Sequence, residues 1–140
     1  MTVLGGGAGG SVGTLTGPAT VNVSGLTAWS GGAMTGAGVT NANGGMTISD
    51  NVSGPTLSGR TINNAGTAIV TSTFGLWSNG GIFNNLATGT FDIRANTTFS
   101  NFGGATPTFN NSGTLIRSAG TGTTIFDFIA FNNTGIVIQL

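Results

Sequence analysis

The sequence predicts an all-β fold: a parallel β-helix (β-solenoid) of about six coils of roughly 22 residues each. Three observations predict it. Strand formers and turn formers make up most of the chain, and the usual helix formers are scarce. A doublet of asparagines starts at Asn63, Asn84, Asn110 and Asn132, with spacings of 21, 26 and 22 residues. The neighbours of each doublet recur in step. Ile62, Phe83, Phe109 and Phe131 precede it, and Gly66, Ala87, Gly113 and Gly135 follow two residues later.

Composition narrows the function classes. The 140 residues include 27 glycines and nine phenylalanines, yet only 4% are charged. The acids are Asp50, Asp92 and Asp127; the bases are Arg60, Arg94 and Arg117, with no lysine. A nucleic-acid binder needs clustered cations to displace counterions from phosphate, and three scattered arginines do not supply them. Anionic membrane surfaces are excluded on the same ground. Low charge alone would suit a disordered chain, but such chains are poor in aromatic and β-branched residues, and this one is rich in both. There is no cysteine, hence no disulfide and no thiolate chemistry. The opening "MTVLGGGAGGSVG" lacks the basic and apolar regions of a secretion signal. No apolar run approaches the about 20 residues of a membrane helix, so membrane insertion is not expected. Residues 1–17 read as a Gly-rich leader or irregular first coil and 18–140 as solenoid repeats; the stop at "GIVIQL", partway through a unit, favours a fragment.

A unit of this size cannot bury its apolar face alone and must stack on its neighbours. Similar units stack like on like, so the strands run parallel and the rest of each coil supplies the crossover. The N-terminal half carries weaker copies. "LTAWSGG" resembles "GLWSNGG", which sets Trp77 48 residues after Trp29, close to two units. "VTNANGGMTIS" and "GPTLSGRTINN" read as further turns.

The asparagine doublets read as a structural ladder formed by Asn63, Asn64, Asn84, Asn85, Asn110, Asn111, Asn132 and Asn133. An amide has both a donor and an acceptor, so a stack of amides at about 4.8 Å can bond up and down its length. Asparagine also tolerates the left-handed backbone region and could turn a corner. Sugar or ion binding is the functional alternative for the doublets. In "TFDIRAN" the alternation puts Phe91 and Ile93 inside and Asp92 and Arg94 outside. Carried across the repeats, Ala68, Val70, Leu115 and Val137 face inward. Ile69, Ile116 and Ile138 then share the outward column of Asp92 and form a candidate interface; a slip of one residue would swap the faces.

The segments "WSGGAMTGAG", "LSGRTINNAGTA", "GIFNNLATGTFDI", "FNNSGTLIRSAGTGTT" and "AFNNTGIV" resemble repeats of large secreted bacterial β-solenoid proteins. Those are filamentous-haemagglutinin-like and autotransporter-like adhesins, and the similarity covers roughly residues 18–140. The resemblance implies export to the cell surface or beyond, a parallel β-helix and a structural or adhesive role, with no catalytic residues to carry over. The chain departs from the repeat at "GIVIQL", where Ile136 replaces the threonine of the usual Gly-Thr step.

Chemistry is sparse. There is no His, Cys, Lys, Glu or Tyr, so a serine nucleophile would have no imidazole base. Asp92 and Asp127 lie 35 residues apart, which is not a whole number of coils, and a carboxylate pair for glycoside cleavage is not expected. Asp92 and Arg94 read as an exposed ion pair. "GGGAGGSVG" lacks the Lys-Ser/Thr end of a phosphate loop. No catalytic, cofactor or metal site is predicted. Thr-x-Thr pairs start at Thr14, Thr71, Thr88, Thr106 and Thr121, and the last four are spaced 17, 18 and 15 residues, out of step with one ice-binding column. The expected function is a non-enzymatic structural module that self-associates head to tail, or continues a longer parent chain. The alternative is a carbohydrate- or host-binding adhesin that presents Trp29 and Trp77 to glycans. An ice-binding solenoid is the weaker alternative.

Overall fold

The computed structural model describes residues 1–3, 13–50 and 54–140. β1 (Thr2–Val3) is followed by six windings of three short strands each. The first is β2 (Thr14–Leu15), β3 (Val21–Val23) and β4 (Thr27–Trp29). The second is β5 (Ala33–Thr35), β6 (Val39–Ala42) and β7 (Met46–Ile48). The third is β8 (Thr56–Ser58), β9 (Thr61–Asn64) and β10 (Thr67–Val70). The fourth is β11 (Leu76–Asn79), β12 (Ile82–Asn85) and β13 (Thr90–Ile93). The fifth is β14 (Thr97–Asn101), β15 (Thr108–Asn111) and β16 (Thr114–Arg117), and the sixth β17 (Thr124–Asp127), β18 (Ala130–Asn133) and β19 (Ile136–Gln139).

Every third strand pairs in parallel. Sheet A has seven strands, in the order β1-β4-β7-β10-β13-β16-β19. Sheets B (β2 to β17) and C (β3 to β18) have six each. The chain is a three-sided parallel solenoid, all-β with no helix among the described residues. Of the predicted leader, residues 4–12 lie outside the described residues, while β1 and β2 pair with β4 and β5.

Period-two alternation fills the interior. On sheet A the inward columns are Thr27–Met46–Ala68–Phe91–Leu115–Val137 and Trp29–Ile48–Val70–Ile93–Arg117–Gln139. The phase read from "TFDIRAN" therefore holds: Ala68, Val70, Phe91, Ile93 and Leu115 are all buried. Sheet C sends in Ile62, Phe83, Phe109 and Phe131. The rings of Phe83, Phe109 and Phe131 stack at centroid distances of 5.3 and 5.7 Å, with planes within 10° of parallel. Phe91 meets Phe83 and Phe109 edge-on at 5.0 and 4.9 Å. Such pairs contribute about 0.5–1.5 kcal/mol each beyond the area they bury.

The corners differ from the expectation. Both asparagines of every doublet lie within strands, and Phe128, at φ 52°, is the only non-glycine with positive φ among the described residues. The asparagines do not turn the chain. Glycine does: Gly75 has φ 77°, and a Cβ there would overlap the Thr98 carbonyl of the next winding. Gly89, rather than Ala87, occupies the place of Gly66 and Gly113, because Thr90 and Thr114 donate to the Gly66 and Gly89 carbonyls in turn. The two extra residues of that unit are accommodated in the corner before β13. The Trp alignment also fails: Trp29 lies on sheet A and Trp77 on sheet B. All three corners draw on the same Gly, Ser and Asn vocabulary, so "AWSGG" and "LWSNGG" mark different corners.

Candidate functional site: amide ladders and exposed faces

The doublets build two ladders at different depths. The outer one has six rungs, Asn22, Asn41, Asn63, Asn84, Asn110 and Asn132, joined by Nδ2–Oδ1 bonds of 2.7–2.9 Å. The sequence reading found the last four rungs. Asn22 and Asn41 stand in "VNV" and "TNA" with no second asparagine, so only their spacing could have marked them. From Asn41 onward each Nδ2 donates to the preceding winding.

The inner ladder, Asn64, Asn85, Asn111 and Asn133, is joined at 2.9, 2.8 and 2.7 Å and donates the opposite way, to the following winding. Its orientation follows from its surroundings. Asn85 Nδ2 also faces the carbonyls of Gly89 at 3.3 Å and Thr114 at 3.0 Å, so the nitrogen must lie on that side. Asn64 and Asn111 repeat this arrangement at their own corners. The inner ladder thus satisfies backbone acceptors where sheet C bends into sheet A. It starts at Asn64, whose Oδ1 is buried without a partner, because Ala42 occupies the preceding rung.

Arg60 has a role that the sequence reading missed. Its side chain is buried, Nε donates to Thr40 Oγ1 at 2.8 Å, and the two Nη atoms donate to four carbonyls. Those of Gly17 and Ala19 belong to the first winding and those of Thr35 and Val39 to the second. One side chain thereby ties the third winding to both earlier ones. Burial lowers its pKa from the ordinary guanidinium value.

The acids are dispersed. Asp92 is buried on the outward column; Arg94 Nε donates to it at 2.6 Å and Ser118 Oγ also bonds it, so this ion pair is exposed on the arginine side only. For Asp50, partial burial raises the pKa. Hydrogen bonds from Ser72 Oγ, Thr73 N, Thr73 Oγ1 and Phe74 N outweigh that effect and hold the carboxyl below its ordinary range. Among the described residues no three His, Cys, Asp or Glu side chains gather as a metal site.

The surface candidates separate clearly. Ile69, Ile116 and Ile138 do share one outward column, but Asp92 stands between Ile69 and Ile116, so the row of three isoleucines is interrupted. Trp29 is corrected outright: it lies on the inward phase of β4, fully buried, and cannot face a ligand. Trp77 faces outward and is 41% exposed. Phe102, which the sequence reading did not single out, lies beside it with ring centroids 5.8 Å apart. The Thr-x-Thr pairs fall at different corners: Thr71 and Thr73 before β11 on sheet B, Thr90 at the start of β13 on sheet A, Thr108 at the start of β15 on sheet C. These pairs do not stack on one another; Thr90 instead stacks with Thr67 and Thr114.

At the sixth winding the inward phase is open. Phe131 and Val137, which continue the core columns, are 40% and 56% exposed. Ile93, Leu115, Phe126 and Val137 line the opening, a cavity of about 200 Å³. Comparison with protein-family models, curated proteins and solved structures finds no match.

Proposed function

We propose that this chain is a non-enzymatic structural module that stacks head to tail, its sixth winding seated on the first winding of a second copy or on further coils of a longer chain. The observation that carries this reading is the open last winding. Its apolar interior meets solvent, and β17, β18 and β19 have free edges. At the other end β1, β2 and β3 are the outermost strands of the same three sheets. Stacking therefore sets sheet A on A, B on B and C on C.

The outer ladder supports a polar, head-to-tail join. Among the described residues, Asn132 Oδ1 accepts no bond and Asn22 Nδ2 donates none. Asn22 of one copy above Asn132 of the previous one continues the ladder in its own direction. A contact of this kind does not close on itself, so it grows into a filament. The likeness of the repeats to secreted bacterial solenoid proteins supports an extracellular or cell-surface setting.

Analytical ultracentrifugation and electron microscopy over a concentration series test the reading. Elongated species that grow with concentration are expected, and Phe131→Asp combined with Val137→Asp should leave monomers of unchanged β content. A wild-type chain that stays monomeric at every concentration, with no rods in micrographs, overturns the stacking of separate copies.

A further inference from the structure

Sheet B carries a second candidate surface, independent of end-to-end stacking. Its outward column runs Thr56–Trp77–Ser100–Asp127. Trp77 and Phe102 are 41% and 58% exposed, side by side, with ring planes 34° apart. The indole is held in place: Trp77 Nε1 donates to the Phe74 carbonyl at 3.1 Å. The residues flanking Phe102 open into a groove of about 500 Å³ lined by Asn101, Gly103, Thr106, Phe128, Ile129 and Ala130. Phe128 presents its ring to solvent from a left-handed backbone that a bulky residue adopts only at a cost.

We propose that this face binds a neutral oligosaccharide, with pyranose rings laid on Trp77 and Phe102 and the chain running toward the groove. An aromatic face is a flat apolar plate with negative charge at its surface, and a pyranose presents a face of polarised C–H groups. Around the plates lie Ser100, Asn79 and Thr56, hydroxyl and amide groups suited to sugar hydroxyls. Successive rungs step by about 4.8 Å, close to the length of one pyranose, so consecutive sugars meet consecutive windings. The charge on this column is one carboxylate, Asp127. The arginines are engaged elsewhere: Arg60 is buried, Arg94 sits on Asp92, and Arg117 donates to Thr124, Asn96 and Gly122. Acidic sugars therefore find no cation, and neutral ones are favoured.

Tryptophan fluorescence tests the site cleanly, because Trp29 is fully buried and only Trp77 is open to a quencher. The probes are cellohexaose, chitohexaose, mannohexaose and maltohexaose, with polygalacturonate as the anionic control. The assay is run on the Phe131→Asp/Val137→Asp chain, so its failure and a failure of stacking stay distinguishable. At least one neutral hexasaccharide is expected to protect Trp77 from acrylamide and to release binding heat. Trp77→Ala and Phe102→Ala should each weaken that binding about tenfold, with Trp77→Phe retaining most of it and circular dichroism unchanged. The proposal is overturned if no hexasaccharide at millimolar concentration protects Trp77, or if binding survives both alanine substitutions. It is equally overturned if polygalacturonate binds best, or if protein concentration alone protects Trp77, which would identify the face as a contact between copies.

Discussion

Asn84 and Asn85 are adjacent in sequence and identical in chemistry, yet their removal should have different effects. Asn84 is half-buried on the outer ladder, where water can replace a lost rung. Asn85 is buried, and truncating it orphans Asn111 Oδ1 and removes its bond to the Thr114 carbonyl, while the Gly89 carbonyl keeps only its bond from Thr114 N. Urea denaturation should show Asn84→Ala costing about 0.5–1 kcal/mol and Asn85→Ala about 2–4 kcal/mol. The converse substitution, Ala42→Asn, gives the unpartnered Asn64 Oδ1 a donor and should raise stability by about 1 kcal/mol. Arg60→Met should cost about 3 kcal/mol, because Thr40 Oγ1 and the carbonyls of two windings lose the guanidinium bonds together. Arg60→Lys should recover little of that in the same assay, since an ammonium cannot reproduce the guanidinium fork. The ladder was legible in the sequence because four doublets recur with the same flanking residues. Arg60 was not: a lone arginine after Ser-Gly carries no periodic signal, and only the closeness of three windings turns it into a clamp.

At the level of strands and corners, phase was legible and corner identity was not. "TFDIRAN" alternates apolar with charged residues, and that one strand fixed which side of sheet A faces inward. Corners carry no comparable alternation, which is why Ala87 stood in for Gly89 and Trp29 was aligned with Trp77. The corner after β10 also sets a pH dependence. Asp50 accepts bonds from Ser72, Thr73 and Phe74, so its folded pKa lies below its unfolded one. Its contribution is complete above the unfolded value of about 3.9 and is lost as pH falls through the lower folded value. Denaturation midpoints measured between neutral pH and pH 2 should fall in that acid window. Asp50→Asn, less stable at neutral pH, should remove this part of the decline.

The whole molecule is quasi-one-dimensional, since each winding touches chiefly the one before and the one after. Order should therefore fray from the open end. Hydrogen exchange in dilute solution should find β18 and β19 exchanging faster than β9 and β12. Protection of β18 and β19 should rise with protein concentration if copies stack, and stay flat if they do not. Composition and repeat spacing revealed this architecture, whereas the open end and the Trp77–Phe102 pair needed the three-sided cross-section to become visible. The parallel stacking has a mechanical corollary. Because the inter-winding hydrogen bonds lie along the axis, tension between the two ends loads one junction at a time. Each winding that peels away frees about 22 residues, or roughly 75 Å of slack at about 3.4 Å per residue. A fibre made of such units would yield in small, evenly sized steps, lengthening under load before it breaks.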